Sequence, residues 1–134
     1  MPQLIKKSEI EQYVGHICEP TDWFKVTQEQ VNVFADCTLD RQFIHVDPEA
    51  AAKSPFGGTI AHGFLTLSML AYFSQSFSLS IEGSYMGVNK GFDKVRFVAP
   101  VPVGSRIRCH TTVAEINQKK PGQYDFCLLY TSPS

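Results

Sequence analysis

The hydrophobic period changes about two-thirds of the way along the chain. In the first part apolar residues recur at helical spacing. Thr27 stands where an N-cap belongs, Gln30 follows three residues on in the manner of a capping box, and Val31, Phe34 and Ala35 continue the pattern. This spacing predicts a helix over 28–37. Asp47 precedes Pro48 at a first helical position and Glu49 in a first turn, so a second, short helix is expected, ended by Pro55 and Gly57-Gly58. The stretch "AHGFLTLSMLAYFSQSF", residues 61–77, carries apolar side chains on nearly every face and is too long for a strand, which predicts a buried central helix.

From residue 84 the period becomes two. Short segments near 85–90, 92–99, 105–116 and 124–130 are separated by Pro100, Pro102, Gly104 and the turn signal Lys120-Pro121-Gly122, as antiparallel strands would be. A buried helix followed by hairpin-linked strands is an α+β pattern in which an antiparallel sheet wraps the helix, the hot-dog fold.

Composition narrows the picture. A chain of 134 residues, 43% hydrophobic and 12% aromatic, is sized for one compact domain with a sizeable core, expected over 1–134. Lys and Arg number 12 against 13 Asp and Glu, and the basic residues are scattered, which argues against a nucleic-acid partner. Met1-Pro2-Gln3-Leu4 lacks the start of a signal peptide, and the most apolar segment, 60–73, is too short to span a bilayer. A cytoplasmic protein without a membrane partner is expected. Cys18, Cys37, Cys109 and Cys127 show neither C-x-x-C spacing nor a paired histidine motif, so no metal site and no disulfide framework is expected; buried, reduced thiols are.

The candidate chemistry lies in "LDRQFIHVDPE", residues 39–49, where Asp40 and His45 stand five positions apart around an expected turn between two helices. Such a turn can aim both side chains into one pocket. A carboxylate and an imidazole sharing one water form an acid/base device, because imidazole titrates near neutral pH. The plainer reading is that Asp40 caps its own turn and His45 is a satisfied, half-buried histidine.

The wider constellation resembles the MaoC-like dehydratases, the (R)-specific enoyl-CoA hydratase family. "FADCTLDRQFIHVDPEAAAKSPFGGTIAHGFLTLSML", residues 34–70, is similar to that family's Asp-x4-His segment, Gly-rich loop and Ala-His-Gly helix start. "VNKGFDKVRFVAPVPVGSRIR", residues 88–108, resembles the strand pair that follows in the branch related to nodulation protein N. The resemblance implies that Asp40 and His45 are the catalytic acid/base pair and that the Gly63 backbone amide binds the thioester carbonyl. A free N–H at a helix start would stabilise an enolate oxygen there. The secondary reading of Gly63 is a glycine that permits close helix packing, and both can hold together; His62 is read first as a structural histidine at the start of the helix and second as lining the pocket mouth.

Two departures from the family pattern stand out. Leu39 occupies a position that is usually glycine, where a positive φ would cost a residue with a Cβ roughly 1 kcal/mol or more. The closing "FCLLYTSPS" does not resemble the family, whose domains continue for another strand, so the C-terminal strand is expected to be truncated.

The resemblance implies a reversible hydration of 2-enoyl thioesters to (R)-3-hydroxyacyl thioesters, without metal or organic cofactor, on an acyl-CoA or acyl-carrier-protein substrate. A homodimer is expected, because an open sheet edge is covered by pairing with a second copy. Acyl-CoA thioesterase activity and a non-catalytic acyl-thioester-binding subunit are the alternatives, since a fold does not fix its function.

Overall fold

The computed structural model describes residues 3–77 and 79–131; Met1, Pro2, Ser78 and the last three residues of the C-terminal tail lie outside the described residues. The chain divides into two compact units, each assembled from segments distant in sequence. Among the described residues one unit draws on 3–22, 71–77, 79–91 and 108–131; the other draws on 23–70 and 92–107.

The first unit holds strand β1 (Gln3–Ile5), a 3-10 helix (Lys7–Tyr13), helix α5 (Leu70–Phe77, apart from its first residue), strand β3 (Leu79–Ile81) and a hairpin of β5 (His110–Lys120) and β6 (Gln123–Thr131). β1 and β3 pair in parallel, a pairing the expected all-antiparallel sheet did not contain. The hairpin turns at Pro121-Gly122, where Gly122 takes φ 77, the left-handed conformation that a Pro-Gly turn asks of its second residue. Its register slips between Val113 and Glu115 and again between Gln118 and Lys120. The segment 15–21 runs beside β5 through Gly15 N–Val113 O (2.7 Å), Cys18 N–Thr111 O (2.9 Å) and Thr21 N–Cys109 O (3.1 Å). Ile5, Ile10, Cys18, Phe73, Cys109 and Val113 are buried here. Burial raises the pKa of the Cys18 and Cys109 thiols. Burial, reinforced by those two thiols, pushes the Tyr130 hydroxyl up to about 12.

The second unit holds β2 (Phe24–Lys25), paired antiparallel with β4 (Arg106–Ile107), and helices α1 (Gln28–Thr38), α2 (Phe43–Val46), α3 (Pro48–Ala52) and α4 (Gly63–Ser68). Both cap signals place their helices. Thr27 Oγ1 accepts from Gln30 N at 3.1 Å, and Asp47 Oδ1 accepts from Ala50 N at 3.1 Å ahead of Pro48. Only half of the capping box forms, because Gln30 Nε2 turns to Met69 Sδ (3.4 Å) instead of its cap. Val31 and Ala35 bury one face of α1, joined by Val26, Ala51, Ile60, Ala61, Leu65 and Ile107 among the unit's buried residues.

Three expectations are corrected. The helix foreseen over 61–77 is two helices, because Ser68 Oγ bonds back to Phe64 O (2.7 Å) and Met69 N is shared among the carbonyls of Leu65, Thr66 and Leu67, which tightens and ends the turn. Within 61–75 Ala61, His62, Leu65 and Phe73 are buried, while Phe64 and Tyr72 are exposed. Residues 85–99 form no ladder among the described residues: the alternation is there, yet Tyr85 is 93% and Val98 92% exposed, for a period of two signals a face to bury and not a partner strand. Cys37 is exposed and Cys127 intermediate, so only two of the four thiols are buried; Cys37 lies off the Val31–Ala35 stripe. Among the described residues no helix is long and apolar enough to cross a membrane.

Candidate active site

α1 ends on Leu39, which adopts φ 64 and ψ 17, the left-handed C-cap conformation that glycine occupies without cost. The side chain is 71% exposed, so nothing in the core compensates the strain. This turn delivers Asp40. Its Oδ1 accepts from Gln42 N at 3.4 Å, a long bond that closes an Asx turn. Arg41 Nε donates to the Asp36 carboxylate at 3.1 Å, an exposed pair of small energetic consequence.

His45 follows on α2, buried to 7% exposure. Its Nδ1 lies 2.7 Å from Ile60 O; a carbonyl only accepts, so Nδ1 carries the proton and Nε2 keeps the lone pair. The backbone around it is tied down. Gln28 Nε2 donates to His45 O (2.7 Å), Thr59 Oγ1 donates to Gln28 Oε1 (2.6 Å), and Ile60 N donates to Ile44 O (2.9 Å). The 59–61 segment is in turn held by Ala61 N–Val101 O (2.8 Å) and Val103 N–Thr59 O (2.9 Å).

The N-cap of α4 brings His62 into the same place. Its ring stacks on that of His45, with centroids 3.8 Å apart and planes 23° apart, and Phe34 of α1 backs it at 4.9 Å. His62 Nε2 donates to the Asp40 main-chain carbonyl at 2.9 Å and lies 3.9 Å from its carboxylate Oδ2, beyond hydrogen-bond reach. With the proton on Nε2, the His62 Nδ1 lone pair is buried without a hydrogen-bond partner, an omission that costs about 1–3 kcal/mol.

Gly63 is the first residue of α4, where its N–H precedes any intrahelical acceptor. A Cβ at this position would come within 3.1 Å of the Phe97 ring, so glycine also permits a close approach. The two readings of Gly63 are therefore compatible.

Asp40, His45 and His62 each offer a ligand atom within 4.8 Å of the others. His45 Nδ1 and His62 Nε2 each meet a backbone carbonyl, so hydrogen bonds orient both rings of the cluster.

The profile of the MaoC like domain matches residues 9–126. The chain belongs to the MaoC-like family. A 3-hydroxyacyl-thioester dehydratase Z of Mycobacterium tuberculosis is 51% identical over 96 residues, 72% of this chain and 63% of that protein. Nodulation protein N of Rhizobium meliloti is 49% identical over 104 residues, 77% of this chain and 65% of that one. This MaoC-like chain thus spans less than two-thirds of the length of these relatives. The crystal structure of a MaoC-like dehydratase from Rhodospirillum rubrum superposes with a TM-score of 0.72 at 22% identity, covering 90% of this chain and 80% of that one. The fold is the hot-dog fold.

Asp40 and His45, singled out by spacing, do come together. His62, read first as a structural histidine and second as lining the pocket mouth, joins them. Gln28 and Thr59 were not found, since a bond between residues 31 positions apart leaves no local signature.

Proposed function

We propose that this MaoC-like chain is an (R)-specific enoyl-CoA hydratase, working in reverse as a 3-hydroxyacyl-thioester dehydratase. One observation carries the reading: His45, with Nδ1 committed to Ile60 O and Nε2 left as an acceptor, stands in one cluster with the Asp40 carboxylate. In the reaction the pair holds a single water. Its hydroxyl goes to Cβ of the enoyl thioester and a proton goes to Cα, so atoms balance and nothing is oxidised or reduced. The Gly63 N–H donates to the thioester carbonyl oxygen as it gains enolate charge. The relative named 3-hydroxyacyl-thioester dehydratase Z supports the same chemistry. The proposed substrate is an acyl thioester of coenzyme A or of acyl carrier protein, and the proposed site of reaction is the cytoplasm.

Crotonyl-CoA tests the reading when followed both for enoyl absorbance and for free thiol. Hydration lowers the first and releases no thiol; thiol release would make the chain a thioesterase, and no change in either would make it a binding subunit. In reverse, (R)-3-hydroxybutyryl-CoA is consumed and the (S) isomer is not.

We further infer that the working form is a homodimer. Phe92, Phe97 and Val98 are exposed on a segment that pairs with no strand among the described residues, and a second copy would cover them. Sedimentation at micromolar concentration should give twice the chain mass; a monomer would refute this.

A further inference from the structure

We propose that His62 is a positioning residue that locks the Asp40 turn against the His45 ring. The inference rests on the hydratase reading above. His62 occupies a slot that an apolar ring would fill with fewer demands: it is 3% exposed, lies between Phe34 and His45, and leaves its Nδ1 unpartnered. A side chain needed only for packing has no use for that nitrogen. What the imidazole adds is the Nε2–H, and that proton goes to the Asp40 carbonyl at 2.9 Å.

The bond falls where the backbone most needs a tie. Asp40 follows directly on Leu39, whose left-handed conformation no glycine relieves, and its own carboxylate adds just the long Asx bond to Gln42 N among the described residues. An unrestrained turn would relax by swinging Asp40. The His62 ring meanwhile presses face-on to His45, whose in-plane contact to Ile60 O leaves rotation about that bond to be limited by the stack. One side chain therefore sets the position of the carboxylate through its donor and the tilt of the imidazole through its ring. Two groups sharing one water need both settings at once, because a displacement near 1 Å can cost about a hundredfold in rate.

Three substitutions separate the parts. His62→Phe keeps the ring and removes the donor, His62→Gln keeps an Nε2 donor and removes the ring, and His62→Ala removes both. With crotonyl-CoA, Phe and Gln should each lower kcat about tenfold and Ala about a hundredfold, with KM within about threefold; His62→Phe should keep a thermal midpoint close to wild type, whereas His62→Ala, which empties a buried slot, lowers it. Placed on the His45→Gln background, His62→Phe should cost nothing further, since no aligned pair remains to disturb. Unchanged kcat in all three variants would overturn the proposal. So would losses that vanish once rates are divided by the folded fraction, or losses that multiply fully with His45→Gln. A wild-type chain that does not hydrate any enoyl thioester would sink the hydratase reading and this inference with it, whereas an active wild type with indifferent His62 variants would sink this inference alone.

Discussion

Two stretches of the second unit lack long regular elements and behave in opposite ways. Residues 39–62 are pinned at nearly every turn: Gln28 and Thr59 hold the His45 backbone, Ile60 O holds its ring, and His62 holds Asp40. Residues 92–98 carry Phe92, Val95, Phe97 and Val98 to the surface with no ladder beneath them. The first stretch is ordered by polar bonds within the unit, and the second depends on whatever covers its apolar side chains. Internal polar cross-links can therefore fix a site that is short of regular structure, while alternating apolar residues alone cannot complete a sheet.

The largest expected effect breaks the pinned stretch at its chemistry. Asp40→Asn and His45→Gln should each lower hydration of crotonyl-CoA by roughly two to four orders of magnitude with folding intact, and the double variant should fall little further, because in the proposed reaction both groups act on one water. Wild-type turnover in either would remove that residue from the mechanism. Next, Gln28→Leu leaves the His45 carbonyl and the Thr59 hydroxyl unpaired, and should lower unfolding free energy by about 1–3 kcal/mol in urea denaturation while reducing turnover. An unaltered urea midpoint would show that Gln28 is a bystander.

Leu39→Gly acts in the opposite direction. The side chain is exposed and its φ is 64, so glycine relieves strain of about 1–2 kcal/mol and loses little burial. Stability should rise by up to about 1 kcal/mol after the extra backbone entropy of glycine is counted, read as a higher thermal midpoint. A fall would mean that Leu39 is covered in the working form. The smallest effect sharpens the exposed stretch: Val98→Ser should change monomer stability by less than about 0.5 kcal/mol, yet make the thermal midpoint of a dimer fall on dilution more steeply than that of the wild type. Equal dilution curves would place Val98 outside any interface.

Much of the first stretch was legible in the chain. Thr27, Asp47 and Pro48 are local signals, and local signals mark the starts of α1 and α3. The Asp40 and His45 pair was legible because five residues and a turn suffice to bring them together. His62 carries no such signal, since its bond to Asp40 spans 22 positions and depends on where the 59–61 segment is pinned. The strands expected at 85–99 failed for the complementary reason: alternation describes one chain, and a ladder needs two. The helix expected over 61–77 split at Ser68-Met69 because a serine hydroxyl competes for a helical carbonyl, which composition alone does not reveal.

The exposed Cys37 makes this a molecule that can carry its own reporter. Burial holds the Cys18 and Cys109 thiols above their ordinary pKa, so near neutral pH both stay protonated and slow, and Cys127 is partly covered. Cys37 sits on the last turn of α1, two residues before the left-handed Leu39 and three before Asp40. A maleimide dye under limiting conditions should label it first. Its fluorescence would then register whether the Asp40 turn moves when an acyl thioester is added, with no cysteine added or removed.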